Sequence, residues 1–190
     1  MIRTTAFIVF PMMFMLSALA RPLILTMITA KWEPCIILLQ LMCFSMMWYP
    51  IHAMNLNLLQ VKGRTDLFLR LEIIKKILCL SILVITLPQG LIIFCIGNIV
   101  ATILCLFINT YYTGKLINVG FLTQMKDLTP ILLLSAIMYL AIYCVNSFIE
   151  NMVLQIIIGG IAGAFIYLGG AFLFRFKELN DVKYMLKRKA

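Results

Sequence analysis

Long apolar stretches separated by short polar connections dominate this chain. They cover residues 5–29, 35–60, 67–87, 90–111, 129–146 and 152–174. The hydrocarbon core of a bilayer is about 30 Å thick, so a helix needs about 20 mostly apolar residues to cross it. Runs such as 131–134 (ILLL) do not alternate as the strands of a membrane barrel would. The pattern therefore predicts an all-α integral membrane protein with six transmembrane helices.

Basic residues are distributed unequally over the predicted connections. With six helices crossing the membrane, fourteen of the sixteen Lys and Arg residues fall on one side of it. Cytoplasmic loops retain Lys and Arg, so this distribution predicts that both termini are cytoplasmic. Lys31 lies on the other side, and Arg21 lies within the first helix. The fourteen are Arg3, Lys62, Arg64, Arg70, Lys75, Lys76, Lys115, Lys126, Arg175, Lys177, Lys183, Lys187, Arg188 and Lys189.

Composition narrows the class of protein further. The chain has 190 residues, of which 64% are hydrophobic, and six helices would leave little of it for a soluble domain. The net charge of +9 is explained by the membrane topology, so we expect no nucleic-acid partner. The six cysteines form no CxxC pair, so they are interpreted as packing residues, and neither a metal nor a cofactor is expected.

The predicted helices divide the chain into four segments. Residues 1–112 are expected to form four transmembrane helices, and residues 129–174 two more. Residues 113–128 mix apolar and polar positions, which favours a cytoplasmic helix at the membrane interface that links the two groups. Residues 175–190 are expected to form a basic cytoplasmic tail. The first apolar stretch is too long for a signal peptide and is interpreted as a retained helix.

The first two helices contain prolines and unusual polar residues. Pro11, Pro22 and Pro50 are expected to kink their helices, because proline removes a backbone donor. Arg21 either extends to the outer interface or faces a polar cavity that holds an anionic substrate. His52 and Asn55 share a helix face, from which Asn57 should point away. These polar groups either bond neighbouring helices or line a transport path.

The start of the third helix carries several charges. Asp66 and Arg70, and Glu72 and Lys76, are spaced as i,i+4 ion pairs. The fully apolar part, residues 77–87, is only about half the length that a membrane span requires. The charged turns must therefore either lie at the inner interface or face a cavity that opens to the cytoplasm.

The sequence contains no recognisable catalytic constellation. It has one histidine and seven acidic residues, and motifs of serine hydrolases, zinc proteases and P-loop proteins are absent. We therefore do not expect an enzyme. Gly159 and Gly163 form a small-xxx-small motif, which permits close helix approach and makes the last helix a possible dimer interface.

The second and third helices resemble a known transporter family. Residues 49–60 (YPIHAMNLNLLQ) and 62–76 (KGRTDLFLRLEIIKK) resemble polysaccharide or O-antigen flippases of the multidrug/oligosaccharidyl-lipid/polysaccharide exporter superfamily. The Phe10-Pro11 element, Pro22 and Lys31-Trp32 are also similar to that family. The resemblance implies two helical bundles around a central cavity, of which this chain would supply a C-terminal part. A missing N-terminal bundle, or a second copy of the chain, would complete it.

The resemblance also implies a function. The complete protein would flip lipid-linked oligosaccharide of the undecaprenyl-pyrophosphate type across the bacterial inner membrane by alternating access. The residues expected to contact anionic substrate are Arg21, Arg70, Lys75 and Lys76, and His52, Asn55 and Asn98 are expected to provide polar lining. Two alternatives remain open: a membrane scaffold subunit that transports nothing, and a half-size transporter that acts as a dimer.

Overall fold

Every regular element in the described part of the chain is helical. The computed structural model describes residues 2–117, 120–174, 176 and 178–179. Most of the predicted basic tail and the side chain of Lys115 lie outside the described residues. The α-helices are α1 (Ile2–Ala18), α2 (Ala20–Met27), α3 (Cys35–Met46), α4 (Tyr49–Val61), α5 (Thr65–Thr86), α6 (Leu91–Ile117), α7 (Phe121–Ser147) and α8 (Met152–Leu173). Short 3-10 turns cover Ala30–Trp32 and Leu87–Gln89.

Two helix breaks lie four residues before a proline. α1 ends at Ala18, four residues before Pro22, and α2 continues at an angle of 61°. α3 ends at Met46, four residues before Pro50. Proline cannot donate a hydrogen bond to the carbonyl four residues earlier, and its ring clashes with that carbonyl. The expected disturbances at Pro22 and Pro50 are therefore confirmed.

Pro11 has a different outcome, because α1 continues through it without a break. The carbonyl that Pro11 leaves without its helical donor is that of Phe7. The hydroxyl of Tyr167 on α8 donates a hydrogen bond to this carbonyl over 2.8 Å. A side chain from another helix thus satisfies the backbone group, as a membrane environment requires.

The length and composition of the helices support a multi-pass membrane protein. Among the described residues, Cys35–Val61, Leu91–Gly114, Phe121–Ser147 and Met152–Leu173 are each long and apolar enough to cross a bilayer. α1 and α2 provide a fifth such segment when the bent pair is counted as one span. α5 has 22 residues but carries four charges between Arg70 and Lys76. The structure therefore supports four or five spans, and the predicted sixth depends on α5.

The core lies where α1 packs against α3, α4 and α7, and α8 packs against α7 and contacts α1 and α2. Phe10, Ile131 and Ile142 are completely buried there, and Trp48 packs edge-on against Phe10 with ring centroids 5.4 Å apart. By contrast, α5 buries only Leu71 among its side chains and exposes Leu80, Val84 and many other large apolar groups. Such extensive exposed apolar surface is rare on soluble proteins and suits contact with lipid.

The glycines of α8 allow it to pack closely against α7. A Cβ atom added at Gly163 would lie 2.6 Å from Cδ1 of Ile142, and one added at Gly159 would lie 2.8 Å from Oδ1 of Asn146. The predicted small-xxx-small motif therefore serves packing within the chain. It no longer favours this face of α8 as a dimer interface.

Ion pairs bring distant parts of the chain to one end of the bundle. Arg3 near the start of α1 lies 3.7 Å from Asp127 on α7 and 2.5 Å from Glu178, which follows α8. The N-terminus, the start of α7 and the segment after α8 therefore meet. Arg21 lies some 18 residues further along, where it pairs with Glu33 at 3.7 Å.

The segment predicted as an interfacial linker, residues 113–128, is divided between two long helices. α6 continues to Ile117, and α7 begins at Phe121 and runs unbroken to Ser147.

Two other connections contain glycines in the left-handed region, which glycine adopts without strain: Gly63 and Gly90 have positive φ angles of 69° and 109°.

Candidate functional site

A cleft of about 520 Å³ lies between α4, α5 and α6. We call it the cationic cleft, because two lysines line it beside polar groups and aromatic rings. One wall is formed by α4, the facing wall by α5, and α6 contributes one residue. The lining residues are Tyr49, His52, Ala53, Leu56, Asn57, Gln60, Phe68, Glu72, Lys75, Lys76, Cys79 and Cys105.

The cleft is elongated along the axis of α5. Along α5 it is lined from Phe68 to Cys79, which corresponds to about 17 Å at 1.5 Å per residue. A bilayer core is about 30 Å thick, so the cleft spans roughly half of this depth if α5 crosses the membrane. At the end of the cleft farther from the α4–α5 connection, the sulfur atoms of Cys79 and Cys105 are 3.8 Å apart.

The charged side chains of the cleft differ in their surroundings. Lys75 is only 12% exposed, and its amine forms an ion pair with the carboxylate of Glu72, which is 31% exposed. Lys76 is exposed and lines the same cleft. The expected i,i+4 pair of Glu72 with Lys76 is replaced by an i,i+3 pair with Lys75. Asp66 likewise lies 3.8 Å from Arg64 instead of pairing with Arg70.

His52 lies on the α4 wall of the cleft, as the lining hypothesis expects. Its Nδ1 atom lies 3.0 Å from the amide nitrogen of Asn109 on α6. This contact fixes the ring and ties α4 to α6. His52 therefore combines a position in the cleft with a structural role.

Asn55 and Asn98 do not line the cleft. Asn55 is buried and exchanges two hydrogen bonds of 3.1 Å with Gln124 on α7. The amide of Asn98 donates to the hydroxyl of Ser45 on α3 over 3.2 Å, and Ser45 is also bonded to Thr102 at 2.9 Å. Both residues bond neighbouring helices, which was the structural alternative for polar groups in a membrane.

Arg21 and Arg70 also lie outside the cationic cleft. Arg21 is 70% exposed on α2, which packs against α3 and α8. Arg70 is on α5 but points away from the cleft wall and is exposed. It lies within two turns of the start of α5, so its long side chain can reach the membrane interface. Of the four predicted anion contacts, the structure brings together only Lys75 and Lys76.

Sequence reasoning missed part of the polar lining. Gln60 lies eight residues after His52 and thus on the same helix face, which was a usable signal. Asn57 was expected to point away from His52, yet both line the cleft, because it borders a wide part of α4. Within the described residues, no group of three or more His, Cys, Asp or Glu side chains could hold a metal ion.

A second, smaller groove of about 310 Å³ lies between α1, α3, α6 and α7. Met13, Phe14 and Met47 are among its mainly apolar lining residues, and no charged side chain lines it. It therefore offers no cationic side chain to an anionic group. The cationic cleft is the better candidate for a functional site.

Comparison with known proteins gives one match. Residues 1–37 match the sequence profile of a family described as Polysaccharide biosynthesis protein. The matched region comprises α1, α2 and the beginning of α3, and it includes the Phe10-Pro11, Pro22 and Lys31-Trp32 elements of the resemblance. No curated protein and no solved structure matches the chain. A relation to polysaccharide biosynthesis is thus supported by a short N-terminal stretch, whereas the cleft lies outside it.

The Asn55–Gln124 pair is expected to stabilise the contact between α4 and α7. Interhelical hydrogen bonds in membrane proteins contribute about 0.6 kcal/mol on average and up to about 1.7 kcal/mol. We expect Asn55→Leu to lower the free energy of unfolding in detergent by about 1 kcal/mol. Adding Gln124→Leu should then cost less than it does alone. Asn57→Leu, on the exposed wall of the cleft, is the matched control, and equal effects at Asn55 and Asn57 would contradict this role.

Proposed function

We propose that the chain is part of a transporter that flips lipid-linked oligosaccharide, a polysaccharide or O-antigen repeat unit, across the bacterial inner membrane. The observation that carries this proposal is the cationic cleft, which α5 forms with α4 and α6, two helices within segments apolar enough to cross a membrane. Two lysines offer contacts to a phosphate group, while amides and Tyr49 on the opposite wall suit the hydroxyl groups and faces of sugars. The N-terminal match to polysaccharide biosynthesis proteins supports the same assignment.

The position of the cleft suits a substrate that is made in the cytoplasm. In the proposed topology α5 also crosses the membrane, which brings the number of spans to six, and both termini are cytoplasmic. The cleft then begins beside the α4–α5 connection, which carries Lys62 and Arg64, and leads toward the middle of the membrane. Charged residues inside a membrane region commonly mark such pathways.

Alternating access requires a second body that moves against this one. We propose that the helices of this chain form one bundle, and that a second bundle or a second copy faces the cationic cleft across the transport path. Undecaprenyl-pyrophosphate-linked oligosaccharide is the proposed substrate. The protein itself performs no bond chemistry in this proposal.

Disruption of the gene in its native bacterium tests this function. We expect loss of the surface polysaccharide and accumulation of complete lipid-linked repeat units, because assembly continues while transfer across the membrane stops. A lost biosynthetic enzyme would instead leave truncated units, which mass spectrometry of the lipid extract distinguishes. Normal surface polysaccharide, or truncated units, would contradict the proposal. Re-expression of the intact chain should restore the surface polysaccharide.

A further inference from the structure

The two lysines of the cationic cleft are not equivalent. The Glu72 carboxylate already forms an ion pair with Lys75, whose side chain is largely withdrawn from solvent. Lys76, the next residue, forms no ion pair with any other described residue and remains exposed. An anion that enters the cleft therefore meets one available cation and one that carries an internal counter-charge.

The internal counter-charge has an energetic consequence for ligands. An anion gains the full attraction of Lys75 only if it displaces Glu72, whose partial exposure allows the carboxylate to turn toward water. A singly charged group gains little from this exchange, because it replaces one negative charge by another. A group with two or more negative charges can contact Lys75 and Lys76 together and so outweigh the lost ion pair.

We infer that Glu72 sets the charge selectivity of the cationic cleft. It holds Lys75 until a ligand with at least two negative charges displaces it. Singly charged phosphodiester headgroups, which surround any membrane protein, are thereby kept from occupying the site. This inference rests on the proposed function and assigns Glu72 the role of a competitor for Lys75, distinct from the substrate-contacting lysines.

A merely structural role for Glu72 predicts a different result. If Glu72 only neutralises Lys75 within the bundle, its replacement disturbs the site and weakens the binding of every anion. If it competes with the ligand, its replacement strengthens binding. Weaker binding therefore supports the structural role, whereas a larger gain in affinity for a singly charged anion than for a multiply charged one supports competition.

The test uses the full chain, purified and placed in nanodiscs of zwitterionic lipid. Binding of inorganic pyrophosphate and of dimethyl phosphate, a singly charged phosphodiester, is measured by calorimetry. We expect Glu72→Gln to tighten pyrophosphate binding about tenfold, the effect of freeing one charged donor from its partner. The dissociation constant of dimethyl phosphate should fall by a larger factor than that of pyrophosphate, since dimethyl phosphate can now use both lysines. Asp66→Asn, which removes the same charge from an exposed position on α5, should leave both affinities unchanged.

The outcomes distinguish this inference from the proposed function. Suppose that Glu72→Gln binds pyrophosphate no more tightly than the intact chain, while Lys75→Gln and Lys76→Gln lose binding. This result would overturn only the role of Glu72. If pyrophosphate binding survives both lysine substitutions, the anion site itself is overturned, and the inference with it. The same holds if neither the intact chain nor Glu72→Gln binds pyrophosphate. If Glu72→Gln does not fold, Glu72→Asp applies the same criteria, because its shorter side chain weakens the ion pair and should still tighten binding.

Discussion

Replacing Lys75 by alanine is expected to lower polysaccharide export by one to two orders of magnitude while the protein remains in the membrane. The side chain of Lys75 is nearly buried in the cationic cleft, and in the proposed function it contacts the anionic group of the substrate. Hydrogen bonds to charged groups contribute about 1.5–3 kcal/mol, and each 1.4 kcal/mol corresponds to a factor of about ten. Export is measured as surface polysaccharide when the variant is expressed in the disrupted strain.

Two further variants make this result interpretable. Lys31→Ala removes the same charge from an exposed turn far from the cleft and should leave export unchanged. Lys75→Ala also leaves the Glu72 carboxylate without its cation, which could destabilise the bundle. The double variant Glu72→Gln/Lys75→Gln removes both charges, and export should stay low in it as well. Normal export by Lys75→Ala, at normal abundance, would remove Lys75 from the site and would favour the scaffold alternative.

Gly163→Leu is expected to destabilise the protein by about 3 kcal/mol, the upper part of the usual range for overpacking a core. A Cβ atom at Gly163 would lie 2.6 Å from Cδ1 and 3.1 Å from Cγ1 of Ile142. Ile142 is completely buried and β-branched, so it has little freedom to move aside. The contact between α7 and α8 should therefore open. The change is measured as a lower midpoint of unfolding in detergent.

Gly160 offers a matched control on the same helix. A Cβ atom added there would meet no other atom within 4 Å, so Gly160→Leu should leave the unfolding midpoint nearly unchanged or raise it slightly. If Gly163→Leu kept its stability but changed from a dimer to a monomer, the glycine face would be an interface between copies. That result would contradict the packing of α8 against α7 and would restore the half-size transporter hypothesis.

Properties that depend on short segments were predictable from the sequence. The all-helical membrane architecture follows from the free energy of placing about 20 apolar side chains in lipid, which each segment carries by itself. The breaks before Pro22 and Pro50 are equally local, because the missing donor acts four residues earlier in the same helix. The lengths of α6 and α7 were harder to predict from the sequence. Residues 113–128 are mixed in composition, and helix continuity there is not determined by hydropathy.

The site depends on which helix faces meet, and this is decided by residues far apart in the chain. Asn55 and Asn98 look like lining residues in the sequence, but Gln124 and Ser45 turn both toward neighbouring helices. Lys75 and Lys76 are likewise indistinguishable in the sequence. Packing of α5 against α4 and α6 buries Lys75 beside Glu72 and leaves Lys76 exposed. Local hydropathy and charge were thus enough to predict apolar helices with a charged segment at the start of the third. That this segment borders a cleft follows from the packing of distant helices, because burial of a charge depends on the surfaces that enclose it.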